Sequence, residues 1–392
     1  MSSTDGTPLL KLKDNAIFQL SLTSKELYHS NFLYWLGKNP NLKTYFQNIV
    51  LNLSDGKVDL STVQYTVHRE YRKLDFCVCD KVNGKERFLF VLENKFKSIP
   101  YIHQLDTYEK KCRSGGCSPY FLLLTLACSF ADREEIESKN VWKIKDYGQL
   151  ANILENHLPP KTDYCGDSFD IDVIRHYVDF IKVFSKEINA NELSGSHTWK
   201  SFICNAGMEE LRCGDIWQKI AFHIAAQRLA SYINGERDFN SEQGHIFEDV
   251  AQGVKSKYYV GVKFFRTEGL LELKRYFKDG VILVLQQQGT DRLRLGIEVK
   301  DRQEFFGDPK YTKKPKRKKD DVWNNMVRDK FSDLGLQQYM PEPHDQCEFH
   351  AFEGGKGGFY YCHYGEAEGA ANVEETLKKM VEIIDRICRE AE

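Results

Sequence analysis

The amino-acid sequence predicts an α/β fold at the start of the chain, and three patterns support this prediction. Apolar and polar residues alternate over residues 63–80, as in a half-buried strand. Residues 88–92 form an almost continuous apolar run, which is typical of a central strand covered on both faces. Helical spacing then alternates with two more short apolar runs up to His157. This succession of strands and helices favours a central sheet flanked by helices.

The individual elements follow from caps, turns and periodicity. Ser24 is a suitable cap for a first helix that ends near Gly37, and a second amphipathic helix is expected around residues 45–51. Asn83 and Gly84 predict a hairpin turn before the central strand. The remaining elements predicted in this half are a helix over residues 104–111, a buried strand over 120–126, a short strand over 141–144 and a helix over 147–157.

The consecutive prolines Pro159 and Pro160 mark the best first domain boundary, because they stop a helix and favour an extended connection. Helical spacing dominates beyond them, four or five strands follow, and Asn372 can cap a long terminal helix. We therefore predict three domains: an α/β domain over residues 1–160, a helical connector over 161–250 and an α+β domain over 251–392.

Composition places the chain among globular proteins. Of its 392 residues, 41% are hydrophobic and 29% are charged, and no uncharged apolar stretch is long enough to span a bilayer. The polar first 14 residues lack a secretory signal, so we expect a cytoplasmic protein without a membrane partner. The 11 cysteines include no Cys-x-x-Cys pair. We interpret them as reduced thiols, and favour this over a zinc site at Cys77, Cys79, Cys112 and Cys117.

Three charged residues near the predicted hairpin indicate chemistry. Asp75 lies on its first strand, and Glu93 ends the second strand, eighteen residues later. Neighbouring antiparallel strands can bring the two carboxylates together, as hard Mg²⁺ requires, and the backbone carbonyl of Asn94 can add a third oxygen. Lys95 follows Glu93 by two residues and therefore points to the same face. These groups suit metal-assisted hydrolysis of a phosphodiester, in which the lysine orients water or stabilises developing charge.

Together with residues on two predicted helices, this pattern resembles the PD-(D/E)XK nuclease superfamily, particularly its RecB-like branch of uncharacterised prokaryotic members. The resemblance covers about residues 20–155. The residues that carry it are Glu26, His29-Ser30, Arg69-Glu70, Asp75, Glu93-Asn94-Lys95 and Gln104-x-x-x-Tyr108. Leu74 stands where the family name has a proline, a position that contacts no metal and is commonly replaced in the family.

The resemblance implies a restriction-endonuclease-like core, in which a mixed sheet is flanked by helices, with Mg²⁺ as cofactor and Mn²⁺ as a substitute. It implies that Asp75, Glu93 and the Asn94 carbonyl bind metal. It also implies that Lys95 is the catalytic lysine, that Glu26 is a supporting acid at the metal, and that the nucleic-acid strand is contacted by Gln104 and Tyr108.

Several of these residues also have plainer explanations. Glu26 suits the positive N-terminal end of its helix whether or not it supports a metal. Gln104 and Tyr108 share a helix face, as an exposed glutamine and a packed tyrosine also would. His29 is either a partner of Glu26 or a core histidine.

The C-terminal half contains a second Glu-x-Lys, Glu298-Val299-Lys300, with Asp279 upstream. No helical glutamate or Gln-x-x-x-Tyr accompanies it, so we favour an ordinary amphipathic strand over a second, degenerate site. A basic loop over residues 310–319 suits phosphate contacts, and Tyr311 suits base stacking, although a solvated loop remains an equal alternative. Its predicted nucleic-acid contacts are Lys313, Lys314, Lys316, Arg317, Lys318 and Lys319.

The leading functional prediction is a Mg²⁺-dependent deoxyribonuclease, with DNA favoured over RNA and a role in prokaryotic antiviral defence suggested only by the habits of the family. One alternative is a ligand- or partner-sensing protein whose C-terminal domain gates a conditionally active nuclease core. Another is a non-catalytic nucleic-acid binder. The terminal helix from Asn372 can serve a homodimer or pack on its own domain.

Overall fold

The computed structural model describes most of the chain. The described residues are 17, 25–96, 102–113, 118–126, 136, 141–160, 168–190, 193, 196–234, 239–241, 258–265, 268–278, 280–290, 292–307, 321–340, 348–354, 357–364 and 372–390. The chain divides into two compact units, one of Met1–Asn191 with Ala206–Ile216 and one of Glu192–Asn205 with Trp217–Glu392. The three predicted domain ranges stay a prediction.

The first unit is built on a five-stranded mixed sheet in the order β1-β2-β3-β4-β5. Strands β1, β2 and β3 pair antiparallel, whereas β3, β4 and β5 pair parallel. The strand bounds are Tyr65–Tyr71 (β1), Leu74–Val82 (β2), Lys85–Lys95 (β3), Tyr120–Thr125 (β4) and Trp142–Asp146 (β5). The predicted α/β core is confirmed, and it matches a restriction-endonuclease-like arrangement.

Helices flank this sheet. Their bounds are Lys25–Lys38 (α1), Lys43–Leu53 (α2), Ile102–Arg113 (α3), Tyr147–Asn156 (α4) and Ser168–Asn189 (α5). Helix α1 contacts β1, β2 and β3, and α4 contacts α2 and α5. On α3, Leu105 and Cys112 share a buried cluster with Cys77, Phe121 and Trp142 of the sheet.

Two tight turns set the register of the antiparallel strands. Asn83 and Gly84 have φ angles of 53° and 72°, as the predicted hairpin turn between β2 and β3 requires. A second turn, at Arg72 and Lys73, also has positive φ angles, of 52° and 70°. It divides the alternating segment of residues 63–80 into β1 and β2, whereas the sequence pattern predicted one strand. Neither residue is a usual turn former, so no local pattern indicated this break.

The second unit contains a seven-stranded sheet in the order β11-β12-β10-β9-β8-β7-β6. All its strand pairs are antiparallel except β6 with β7. The strands are Phe239–Ser241 (β6), Tyr258–Phe265 (β7), Glu268–Tyr276 (β8), Val281–Gln288 (β9), Arg292–Val299 (β10), His350–Gly354 (β11) and Gly357–His363 (β12).

The remaining helices are Trp199–Ile203 (α6), Ala206–Glu210 (α7), Gly214–Asn234 (α8), Arg302–Phe306 (α9), Asp321–Asp333 (α10) and Val373–Glu390 (α11). A large apolar core joins α8, α10 and α11 to one face of the sheet. The side chain of Asn372 accepts a 2.8 Å hydrogen bond from the Glu375 amide, as expected of the predicted helix cap. Within the described ranges, no helix combines the length and apolar character needed to cross a membrane.

Candidate active site at the end of strands β2 and β3

The antiparallel pairing of β2 and β3 brings Asp75 beside the Glu-x-Lys triplet. Phe76 pairs with Leu92, so Asp75 and Glu93 lie one residue beyond that pair on neighbouring strands. The backbone amide of Asn94 donates a hydrogen bond of 2.8 Å to Oδ2 of Asp75. One carboxylate oxygen of Asp75 is therefore fixed by the backbone of the neighbouring strand.

Glu93 and Lys95 form a buried ion pair. The Lys95 Nζ atom lies 2.7 Å from Glu93 Oε1, and the two side chains are only 2% and 9% exposed. Side chains alternate along a strand, so residues two apart share a face, and the structure has the geometry that the spacing predicted. Both charges lie at the end of β3, after the apolar part of that strand.

Helix α3 contributes a polar pair to the same face. The Gln104 Nε2 donates hydrogen bonds to Glu93 Oε1, at 3.1 Å, and to the Tyr108 hydroxyl oxygen, at 2.8 Å. Residues four apart on a helix lie on one side of it, which explains how both reach the site. Three of the residues singled out from the sequence thus form a hydrogen-bonded chain from Glu93 outward.

The second carboxylate oxygen of Glu93 is buried and has no hydrogen-bond partner among the described residues. An unpartnered buried carboxylate oxygen is costly, unless something such as a cation accepts it as a ligand. The nearby carboxylate of Asp75 supplies a second hard oxygen donor, of the kind that Mg²⁺ and Mn²⁺ prefer. The donor set at this position therefore fits a divalent metal ion.

The electrostatics of the site agree with this donor set. Burial and the neighbouring charge of Asp75 raise the pKa of Glu93 to about 7, and burial also raises the pKa of Asp75. Burial by itself would lower the pKa of Lys95, but the surrounding carboxylates, first of all Glu93, raise it above its ordinary value. Lys95 therefore remains an ammonium group. The negative forms of the two buried carboxylates are disfavoured, and a bound cation would stabilise them.

The side chain of Asn94 points away from these charges and joins the strand to two helices. Its Nδ2 donates to the backbone carbonyl of Glu26 at 2.7 Å and to Ser30 Oγ at 3.4 Å, both on α1. Its Oδ1 accepts a hydrogen bond from the hydroxyl of Tyr147, the first residue of α4. This connection was not predicted, because the sequence suggested a role only for the Asn94 carbonyl.

Comparison with known families agrees with the geometry. Residues 14–178 match the family model of the PD-(D/E)XK nuclease superfamily. The predicted resemblance is thereby confirmed, while its RecB-like branch stays a prediction. Neither the curated proteins nor the solved structures that were searched contain a match to the chain.

Within the matched segment, Glu26 lies near the site. It is in the first turn of α1, and its charge contributes to the raised pKa values of Asp75 and Glu93. Among the described residues, one set of three potential metal ligands has its ligand atoms within 4.8 Å of one another, and it consists of other side chains. The carboxylate oxygens of Glu26, Asp75 and Glu93 therefore do not all lie within 4.8 Å of one another. Glu26 therefore acts on the pair through its charge in this arrangement.

His29 belongs to the aromatic core of the first unit. Its Nδ1 lies 2.8 Å from the hydroxyl of Tyr177, and its ring lies 4.0 Å from that of Phe96. Complete burial lowers the pKa of His29 to about 3, so the ring is neutral. These contacts favour the core histidine over a partner of Glu26.

The second Glu-x-Lys of the chain has a different environment. Glu298 Oε2 lies 2.9 Å from the Nζ of Lys274 on β8, and Lys274 also lies 3.2 Å from Glu272. Strand β10 is buried on both faces and Glu298 is itself buried, so the strand is not amphipathic as the sequence suggested, and the charge of Glu298 is paired inside the sheet. Asp279 lies outside the described residues, as does the basic loop with Tyr311, Lys313, Lys314, Lys316, Arg317, Lys318 and Lys319.

Proposed function

We propose that the first unit is a divalent-metal-dependent nuclease that hydrolyses phosphodiester bonds, with DNA as its substrate. The observation that carries this proposal is the buried, unpartnered Oε2 of Glu93, next to Asp75 and the ammonium of Lys95. The match of residues 14–178 to the family model of the PD-(D/E)XK nuclease superfamily supports it independently.

In this proposal Asp75, Glu93 and the backbone carbonyl of Asn94 hold Mg²⁺, for which Mn²⁺ can substitute, and Glu26 adds a supporting negative charge. When bound, the ion neutralises the phosphate and makes water a stronger nucleophile. The Asn94 amide holds one oxygen of Asp75 and so fixes the direction of the other. Because two fixed contacts hold the carboxylates before any ligand arrives, the site needs little reorganisation.

Lys95 is proposed to assist the reaction electrostatically, through its positive charge. Its pKa lies above the ordinary value, so it is a donor of hydrogen bonds and of positive charge and does not act as a general base. An ammonium group at this position can orient the attacking water and stabilise the charge that develops on phosphorus-bound oxygens.

Gln104 and Tyr108 are proposed to contact the nucleic-acid strand. Both side chains are partly exposed, and Gln104 connects them to Glu93. Contacts of the nucleic-acid strand with this pair would connect the bound substrate through hydrogen bonds to Glu93, a proposed metal ligand. The basic loop of residues 310–319 is proposed to add sequence-independent phosphate contacts, and antiviral defence remains the proposed biological setting.

Cleavage assays with the full chain test this proposal. Supercoiled plasmid, linear duplex, single-stranded DNA and RNA are incubated with Mg²⁺, Mn²⁺ or EDTA, and the wild type is compared with Asp75→Ala and Lys95→Ala. We expect metal-dependent cleavage of DNA that both substitutions abolish, while circular dichroism shows that both variants are folded. Cleavage of RNA but not of DNA would contradict the proposal that DNA is the substrate. No cleavage under any condition would contradict an autonomous nuclease and favour a core that is gated by a ligand or partner of the C-terminal part.

A further inference from the structure

A second group of ligand-type side chains lies on the sheet of the first unit, away from the proposed catalytic site. His68, Cys79 and Glu86 each offer a ligand atom, and these atoms all lie within 4.8 Å of one another. Each comes from a different strand, β1, β2 and β3 respectively. Cys79 is four residues from Asp75 along β2, a separation of roughly 13 Å along an extended strand.

The strand register explains the convergence. Cys79 pairs with Thr66 on β1 and with Phe88 on β3. His68 and Glu86 are each two residues from these partners, so their side chains lie on the same face as Cys79. The distance between His68 Nε2 and Glu86 Oε1 is 3.3 Å.

This spacing suits a tetrahedral zinc ion. Zinc bonds of about 2.0 to 2.3 Å place neighbouring ligand atoms about 3.3 to 3.6 Å apart in a tetrahedron. The histidine and glutamate already have this separation, and small side-chain rotations would bring the Cys79 sulfur to the same distance. The group therefore requires little movement to bind an ion.

The donor types distinguish this group from the proposed catalytic site. A thiolate and an imidazole favour Zn²⁺ and Co²⁺, whereas the carboxylates of Asp75 and Glu93 favour hard Mg²⁺ or Mn²⁺. One thiolate and one carboxylate would also neutralise the two charges of the ion. The two sites can thus discriminate between metals by chemistry alone.

Neighbouring polar groups would support the ligands. The hydroxyl of Tyr71 donates a hydrogen bond of 2.7 Å to Glu86 Oε2, which leaves Oε1 turned toward His68. Thr66 Oγ1 lies 3.0 Å from His68 Nε2 and 3.4 Å from the carbonyl of Cys79. The threonine can therefore release the imidazole and keep a hydrogen bond, and such outer contacts orient metal ligands.

We propose that His68 Nε2, Cys79 Sγ and a carboxylate oxygen of Glu86 bind Zn²⁺, with water as the fourth ligand. The histidine and glutamate side chains are 30% and 22% exposed, which leaves a path for the ion and the water, whereas Cys79 is buried. On binding, the thiol releases its proton to solvent and a sulfur–zinc bond forms, with no change of oxidation state. The ion would join β1, β2 and β3 and so stabilise the hairpin strands that carry Asp75 and Glu93. The inference does not depend on nuclease activity.

Cobalt spectroscopy of the full chain provides the test. The protein is stripped of metal with EDTA, desalted under reducing conditions and titrated with Co²⁺, in an Asp75→Ala background that removes a ligand of the other site. We expect one equivalent of Co²⁺ to give a thiolate-to-cobalt charge-transfer band and the strong visible absorption of tetrahedral cobalt, both reversed by Zn²⁺. Cys79→Ser should abolish the charge-transfer band.

Matched cysteine and ligand variants complete the test. Cys77→Ser and Cys204→Ser are the controls, since the Cys77 sulfur lies 4.0 Å from that of Cys79 and Cys204 is exposed in the second unit. Both should retain the spectrum. If Cys79→Ser does not fold, His68→Gln and Glu86→Gln test the partly exposed ligands, and each should weaken Co²⁺ binding at least about tenfold. Absence of the band in the protein that keeps all its cysteines would overturn the proposal. Loss of the band in Cys77→Ser, together with its retention in Cys79→Ser, would also overturn it.

Discussion

The backbone amide of Asn94 donates a 2.8 Å hydrogen bond to Oδ2 of Asp75, while the side chain of the same asparagine contacts helices α1 and α4. The middle residue of the Glu-x-Lys triplet thus holds one proposed metal ligand and anchors the strand that carries the other. Its neighbours Glu93 and Lys95 lie on the opposite face. The alternation of a strand therefore separates the positioning function of Asn94 from the charged groups beside it.

We predict that Asn94→Ala destabilises the protein more than Tyr147→Phe does. The alanine removes the acceptor of the Tyr147 hydroxyl and the side-chain donor to the Glu26 carbonyl and Ser30, a loss of about 2 to 4 kcal/mol for the two sets of contacts. The phenylalanine removes one donor and costs about 1 to 2 kcal/mol. Urea denaturation in EDTA measures both values, and the double variant should be less destabilised than the sum. A loss below about 0.5 kcal/mol for Asn94→Ala would show that this connection is not structural.

Gln104→Ala should weaken nucleic-acid binding without unfolding the protein. Gln104 is partly exposed, and it is proposed to link the substrate strand to Glu93. Loss of a hydrogen bond of this type corresponds to about 1 to 1.5 kcal/mol, or about a tenfold increase in the dissociation constant. Fluorescence anisotropy with labelled DNA and Ca²⁺, which limits cleavage, measures this change. Gln338→Ala, in the second unit, is the matched control, and equal affinities of the two variants would argue against the strand contact.

The raised pKa of Glu93 predicts a specific pH dependence of stability in the absence of metal. In the folded chain this pKa rises from its ordinary value of 4.5 to about 7, so the folded state keeps a proton that the unfolded state releases. The stabilisation is complete below about pH 4.5 and is lost as the pH rises through 7, a change of about 3 kcal/mol at most. Glu93→Gln cannot titrate, so the difference between wild type and variant isolates this group.

Denaturation in EDTA at a series of pH values measures this difference. Relative to Glu93→Gln, the wild type should lose stability between about pH 5 and pH 8, and excess Mg²⁺ should reduce that loss because a cation favours the charged carboxylate. A difference that stays constant over this range would mean that Glu93 has an ordinary pKa and that the site is less buried than described.

Much of this site could be predicted from local sequence signals. Asn83 and Gly84 fix the hairpin, and the two-residue spacing of Glu93 and Lys95 places them on one face, since both rules concern neighbouring residues. The contact of Asn94 with Tyr147 joins residues 53 apart in sequence, and no local pattern indicates it. The turn at Arg72 and Lys73 lacks the usual turn residues, so it also escaped prediction.

The same distinction applies to groups assembled by several strands. His68, Cys79 and Glu86 meet only because the registers of β1 with β2 and of β2 with β3 are both set. The cysteine pattern alone therefore pointed away from a zinc site. In the second unit, Glu298 lies 2.9 Å from Lys274, which is 24 residues earlier in the sequence and on another strand. A short motif identifies donor types, whereas strand pairing decides which donors meet.

The proposed site assigns metal binding to Asp75 and electrostatic stabilisation of the reaction to Lys95, and one paired measurement separates these two roles. Mn²⁺ binding is followed by electron paramagnetic resonance, and single-turnover DNA cleavage is measured on the same samples of wild type, Asp75→Asn and Lys95→Met. We expect Lys95→Met to bind Mn²⁺ within a few-fold of wild type but to cleave at least about 100-fold more slowly, whereas Asp75→Asn should lose both properties. Cleavage by Lys95→Met at a rate close to that of wild type, or unchanged Mn²⁺ binding by Asp75→Asn, would show that these residues do not have the proposed roles.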